Sequence, residues 1–334
     1  MTPPRLTFFC ELDGKPLQAL FADPAVMEDL HALRAAVSLG LVDFGDERAK
    51  VVQRLNGAGI PVIAWQLLPK EQGYWFNIGN APQAAERYAK FKHWTEQNGL
   101  VWDGVGLDIE TDIRETRLLM VDRLRLAPLL LRRLCSMGQL RRAQKAYAAL
   151  VTQIGADGFR VDSYQMPLIV DERSVGSTLI QRVFALVDLA VDREVLMLYS
   201  SFYRPLGAAI LWSYGRGVQS VGLGVTGGGV EIPGVVQPPF LSWDEFARDL
   251  RLAQRWTHDI HIFSLEGCVR QGFLRQLLAL DWEGAVIVPS TRIVQVERLR
   301  TLLRMALLAS IHPWLVSLGL ISVLWLLGRR GRRK

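Results

Sequence analysis

Residues 103–110 read Asp-Gly-Val-Gly-Leu-Asp-Ile-Glu, and this stretch directs the reading of the whole chain. It is short, apolar at every second position, and ends in two acids. Side chains alternate across a β-strand, so Val105, Leu107 and Ile109 take one face and Gly106, Asp108 and Glu110 the other. If the apolar face packs on helices, the acids point into an enclosed interior. A carboxylate is costly to bury alone, so two on one inward face mark a polar site at the strand's end.

Seven other runs share this strand-like character: Leu6–Leu12, Leu39–Phe44, Pro61–Leu67, Phe159–Met166, Val195–Ser200, Ser220–Val225 and His261–Glu266. Helix-like stretches separate them, among them Asp46–Ala58, Ala81–Asn98, Thr178–Leu189 and Trp243–Trp256. Strands alternating with helices imply parallel βαβ units, and eight such units predict a closed (β/α)8 TIM-like barrel over residues 1–283. An open doubly wound sheet is the alternative. In a barrel the chemistry sits at the C-terminal ends of the strands. Those ends are polar here: Glu11, Trp65 and Gln66, Asp108 and Glu110, Asp162, Tyr164 and Gln165, Tyr199 and Ser200, and Glu266. Asp108 and Glu110 are the expected acid pair, since one anion raises the proton affinity of the other and favours a proton donor near neutral pH. Glu11, Trp65, Gln66, Asp162, Tyr164 and Gln165 are expected to line the substrate, with Tyr74, Trp75, Tyr203 and Trp212 as further rim aromatics. The glycine-rich run 224–229 ends strand seven without the Lys of a phosphate-binding P-loop, which favours an ordinary loop.

The octapeptide resembles the strand-four signature of glycoside hydrolase family 18, the chitinase-like barrels, written D-x-x-D-x-D-x-E. Asp103, Asp108 and Glu110 match, and Gly106 stands in place of the middle Asp. The resemblance implies that Glu110 protonates the glycosidic oxygen and that Asp108 orients an N-acetyl group acting as nucleophile. Met197-Leu198-Tyr199-Ser200 is similar to the family's M-x-Y-D/N, which implies a supporting role for Tyr199. The family's strand-eight Trp is missing, and Glu266 stands there instead; as a second carboxylate it would permit the ordinary two-carboxylate scheme. Two alternatives accompany this reading. One is a carbohydrate-binding barrel without turnover. The other is a divalent-metal-dependent hydrolase at a membrane surface, with Asp108, Glu110 and Glu266 as ligands. The glycosidase reading requires no cofactor or metal.

Two segments stand apart in charge. Residues 114–145 carry nine basic and two acidic residues, and residues 291–334 carry nine and one; with a total of +6, the remainder is −9. Such concentration argues against a diffuse nucleic-acid surface. The first segment belongs to a helical insertion, 114–154, interrupted near Pro128 and Gly138, whose basic amphipathic face could lie on anionic lipid. In the second, residues 305–327 contain no Asp, Glu, Lys or Arg, long enough for one transmembrane helix. Residues 284–304 are expected as a juxtamembrane linker and 328–334 as a basic tail. The expected partners are a glycan or lipid-linked glycan and a bilayer. No secretory signal is read at the N-terminus, and three scattered cysteines give no disulfide framework. The missing signal narrowly favours a cytoplasmic barrel on a C-terminal anchor, although basic residues flank both ends of the apolar run.

Overall fold

Eight parallel strands of five or six residues close on themselves in chain order in a computed structural model, which describes residues 3–312. They are β1 (Arg5–Cys10), β2 (Ala36–Leu41), β3 (Val62–Gln66), β4 (Gly104–Asp108), β5 (Val161–Gln165), β6 (Arg193–Met197), β7 (Ser220–Gly224) and β8 (Asp259–Phe263). β1 pairs with both β2 and β8, so the sheet has no edge. This is the (β/α)8 barrel, and all eight strands were legible. Most predicted strands run a few residues too far at the C-terminal end. β2 also starts three residues earlier than expected, at Ala36.

The outward residues of each strand, such as Leu6, Phe8, Val37, Leu39, Val105 and Leu107, bury against the helices in one continuous core. The inward residues form three levels. The floor is ionic: Arg193 pairs with fully buried Asp162 and with Asp259 (2.6 Å), and Arg160 reaches Asp162 at 3.1 Å. The middle is aromatic: the Tyr164 ring meets Phe9 edge-on at 4.7 Å and also touches Trp65 and His261. The mouth carries the carboxylates.

Asp162 is therefore corrected from a substrate residue to a floor residue. It is the second residue of β5 and pairs in register with Arg193, the first residue of β6. Gln66 and Gln165 are corrected too. They alternate with inward Trp65 and Tyr164 and so face the helices, where Gln165 donates to the Val187 carbonyl at 3.2 Å. Tyr164 points inward as expected, but it plugs the middle of the barrel below the mouth.

The insertion folds as three helices, Ile113–Val121, Arg123–Arg133 and Met137–Ala156. Pro128 lies inside the second and does not end it; the breaks fall at Asp122 and at Leu134–Ser136. Residues 284–304 are not a free linker. Most belong to a helix, Ser290–Ile311, that packs on the Leu168–Val175 and Gly207–Tyr214 helices. Arg300 anchors it by donating to buried Asp171 at 2.9 Å and stacking over Tyr214 at 3.8 Å. No helix among the described residues is long and apolar enough to cross a membrane. Most of the predicted span 305–327, and all of the tail 328–334, lie outside the described residues.

Removing one partner of a buried ion pair leaves an uncompensated charge. Arg193→Ala is therefore expected to destabilise the fold by about 3 kcal/mol, read as a shift in the urea-unfolding midpoint.

Candidate functional site

Asp108 ends β4 and is buried, and Glu110 follows two residues later at the partly exposed mouth. The Trp65 indole donates from Nε1 to Asp108 Oδ2 at 3.0 Å, fixing the carboxyl from the neighbouring strand. The Asp108 and Glu110 carboxyl groups lie on the same inward face and interact electrostatically, while Asp108 Oδ1 has no hydrogen-bond partner among the described residues. Burial, followed by the nearby anions Glu110 and Glu11, pushes Asp108 well above the usual carboxylate range. Burial lifts Glu110 to about 7, with the Asp108 side chain opposing the rise. The pair thus holds a proton near neutral pH chiefly through burial; the repulsion expected from the sequence adds to it for Asp108 only.

Two further acids close the ring. Glu11, just past β1, accepts a 2.5 Å hydrogen bond from the Tyr74 hydroxyl. Burial raises Glu11 to about 8, opposed by the Tyr74 hydrogen bond and reinforced by Glu266 and Glu110. Glu266 does not end β8. It occupies the first turn of the Leu265–Arg270 helix, whose N-cap is Ser264. It is buried, neither carboxylate oxygen has a hydrogen-bond partner among the described residues, and burial raises it to about 7. Tyr199 stands over the same space, near enough for Asp108, Glu110 and Glu11 to raise its hydroxyl further, after burial has done most.

The glycine-rich loop after β7 packs onto this ring. A Cβ at Gly228 would lie 2.2 Å from Glu266 Oε1, and one at Gly229 would lie 3.7 Å from Glu11 Oε2. Both glycines have positive φ, 73° and 95°. Only glycine brings backbone this close to the acids in that conformation. Val230 and Ile232 then pack against the barrel's inner aromatic cluster, partly roofing the mouth.

Five of the predicted residues therefore converge: Glu11, Asp108, Glu110, Tyr199 and Glu266, with Trp65 beneath them. Of the rim aromatics, Tyr74 and Trp75 join the inner cluster and burial raises Tyr203 with help from Glu110. Trp212 does not belong there; it sits on the Gly207–Tyr214 helix and packs on Trp256. Sequence reasoning missed Tyr74 as the partner of Glu11. Its signal was faint, a tyrosine after Gly73 in a loop, here with a left-handed φ of 66°. The proposed metal set fails: among the described residues no three His, Cys, Asp or Glu side chains group as ligands, Asp108, Glu110 and Glu266 included.

Gly106 explains the departure from the motif. A Cβ there would lie 2.3 Å from Tyr164 Oη and 2.7 Å from Cζ. The tyrosine occupies the space a middle Asp would need, and its hydroxyl is tied to Ser38 Oγ at 2.7 Å.

No protein-family model matches the chain, and no curated protein matches it. Among solved structures it is similar to the PgaB (BpsB) glycoside hydrolase domain from Bordetella bronchiseptica, at 12% identity and TM-score 0.48, covering 85% of this chain and 100% of that one. It is also similar to the 3-keto-D-glucoside 4-epimerase YcjR from E. coli, at 12% identity and TM-score 0.45, covering 83% and 99%. A xylose isomerase-like TIM barrel protein from Mycobacterium smegmatis, in complex with magnesium, matches at 12% identity and TM-score 0.41, covering 83% and 97%. These neighbours share the TIM-barrel fold, which here rests on the chain's own strand pairing.

Overpacking a filled interior costs about 1–3 kcal/mol. Gly106→Ala should lose that much stability in urea unfolding, and Tyr164→Leu should relieve the clash, so that the double variant loses less than the sum of the singles.

Proposed function

We propose that this chain is a glycoside hydrolase-like barrel acting on a glycan, with Glu110 as the general acid. The observation that carries the reading is the Asp108–Glu110 pair, two carboxyl groups two residues apart at the C-terminal mouth of the barrel, both raised in proton affinity by burial. A general acid works best when its pKa lies near the working pH, and Glu110 at about 7 meets that condition. Glu110 would give its proton to the glycosidic oxygen as the bond to the sugar's C1 breaks. Asp108, steadied by Trp65, would orient an N-acetyl oxygen that attacks C1. The Glu110 carboxylate then takes a proton from the water that completes hydrolysis. Tyr199 would support the cyclised intermediate, as the resemblance to family 18 implies. Without an N-acetyl group, Glu266 is the second carboxylate available to the ordinary scheme.

Removing a general acid typically costs 10²–10⁴-fold. Glu110→Gln is expected to lower the release of reducing ends from N-acetylhexosamine oligosaccharides by roughly 10²-fold or more. In the unchanged protein, kcat should fall as pH rises through about 7, because Glu110 then loses the proton it must donate. Full hydrolysis by Glu110→Gln of every oligosaccharide cleaved by the unchanged protein would remove the assignment. One observation favours a second reading, a binding barrel without turnover: Tyr164 fills the space of the motif's middle acid. Glycan binding with no turnover, unchanged in Glu110→Gln, is the outcome expected of it.

A bilayer anchor through residues 305–327 is part of the proposal, on the ground of 23 residues without an acid, Lys or Arg. The Ser290–Ile311 helix runs into that stretch, with Leu302 and, within it, Met305, Leu308 and Ile311 exposed. Holding the barrel on the cytoplasmic side would direct it to internal or lipid-linked glycans. The full chain should stay with membranes through an alkaline carbonate wash, and a Leu318→Arg, Leu320→Arg variant should be released. Protease protection of the barrel in sealed vesicles reports the side.

A further inference from the structure

Outside the barrel, on the face that bears the carboxylates, a cleft of about 210 Å³ lies between the β6 connection, the Gly207–Tyr214 helix and residues 287–292. Three guanidinium groups line it, from Arg204, Arg248 and Arg292. Two acids partly neutralise them. Glu245 accepts from Arg204 Nε at 2.9 Å and Nη2 at 2.6 Å, and fully buried Asp249 accepts from Arg248 Nε at 2.9 Å. Arg292 has no carboxylate partner among the described residues; its Nη1 donates to the Pro205 carbonyl at 3.0 Å. Three cations against two anions leave a surplus positive charge, with N–H groups of Arg248 and Arg292 still free to donate.

The helix wall adds to this. Leu206 is the N-cap of the Gly207–Tyr214 helix and supplies no side-chain cap. The first-turn N–H groups of Gly207, Ala208 and Ala209 have no acceptor within the helix, and all three residues line the cleft. Converging guanidinium forks and free amides suit tetrahedral oxyanions, which accept several charge-assisted hydrogen bonds at once. The volume is several times the ~30 Å³ share of one water, so an anion bearing a small organic group also fits.

We propose that this cleft binds a phosphoryl oxyanion, as free phosphate or as the end of a small phosphomonoester. The site is independent of the glycan reading. Ser200 bonds buried Asp249 on the cleft side, whereas Tyr199 faces the barrel mouth.

Titration calorimetry of the full chain in neutral detergent, at constant ionic strength, tests the proposal with inorganic phosphate and with glucose 6-phosphate. Saturable binding of either ligand is expected, weakened at least tenfold by Arg292→Gln and by Arg248→Gln. Arg292 is exposed and bonds only a backbone carbonyl, so its variant keeps the fold even where Arg248→Gln does not. Binding of phosphate alone identifies the free ion as the ligand, and tighter binding of the ester identifies an organic phosphate. Neither ligand binding better than chloride, or binding undiminished in Arg292→Gln, overturns the proposal.

Discussion

Tyr164 stands where the barrel's staves meet. Its ring fills the level above the ionic floor, packs edge-on against Phe9 and Trp65, and ends in a hydroxyl bound to Ser38 on the opposite wall. A ring of this size fits the narrow interior only because β4 offers no side chain at Gly106. The remaining levels follow. With the middle filled, the interior below is left to the Asp162–Arg193–Asp259 ion pairs, and any ligand must stop at the mouth. Trp65 is held in turn where its indole N–H can reach Asp108.

The mouth combines burial with like charge. Four carboxyl groups face one another across a space in which, among the described residues, no Lys, Arg or His side chain is hydrogen-bonded to any of them. Ionising all four there would set like charges against each other in a poorly solvated setting, so some stay protonated. In Glu11, Asp108, Glu110 and Glu266 burial comes first among the causes, and repulsion adds to it for Glu11 and Asp108. Such groups favour the folded state most when protonated. Their contribution is full below the unfolded carboxylate range and is lost as pH rises through the folded values, about 7 for Glu110 and Glu266 and about 8 for Glu11. Stability is thus exchanged for a store of protons at the place where a glycosidic oxygen would need one.

Much of this was written in local pattern. Short apolar runs alternating with helix-like stretches marked all eight strands, and the rule that barrels carry chemistry at strand ends pointed to Glu11, Asp108, Glu110 and Tyr199 at the mouth. Register was not legible. Reading each polar strand end as one rim merged residues that differ in height and direction: Asp162 lies at the floor, and Gln66 and Gln165 face helices. Alternation would have separated Gln165 from Tyr164, but only the pairing of Asp162 with Arg193 reveals the floor, and that contact joins residues 31 apart. Tyr74 was expected at the rim, but its pairing with Glu11 was not legible for the same reason, since that hydrogen bond spans 63 residues of sequence. Glu266 was found at the right place on the wrong element, because Ser264 caps a helix where the apolar run read as continuing strand.

Gly106 is where local and long-range logic meet. Read against the motif, it is a lost acid. Read against β5, it is the condition for Tyr164, since no other residue leaves room for the ring. Gly106 and Tyr164 form one arrangement, in which the missing Cβ on β4 makes room for the ring from β5. The Tyr164 hydroxyl that lies there is committed to Ser38. Asp108 keeps the Trp65 N–H as its hydrogen-bond donor, with Glu110 and Glu11 as the anions that raise it after burial. Burial raises both members of the pair, and Glu110 is the one partly exposed at the mouth.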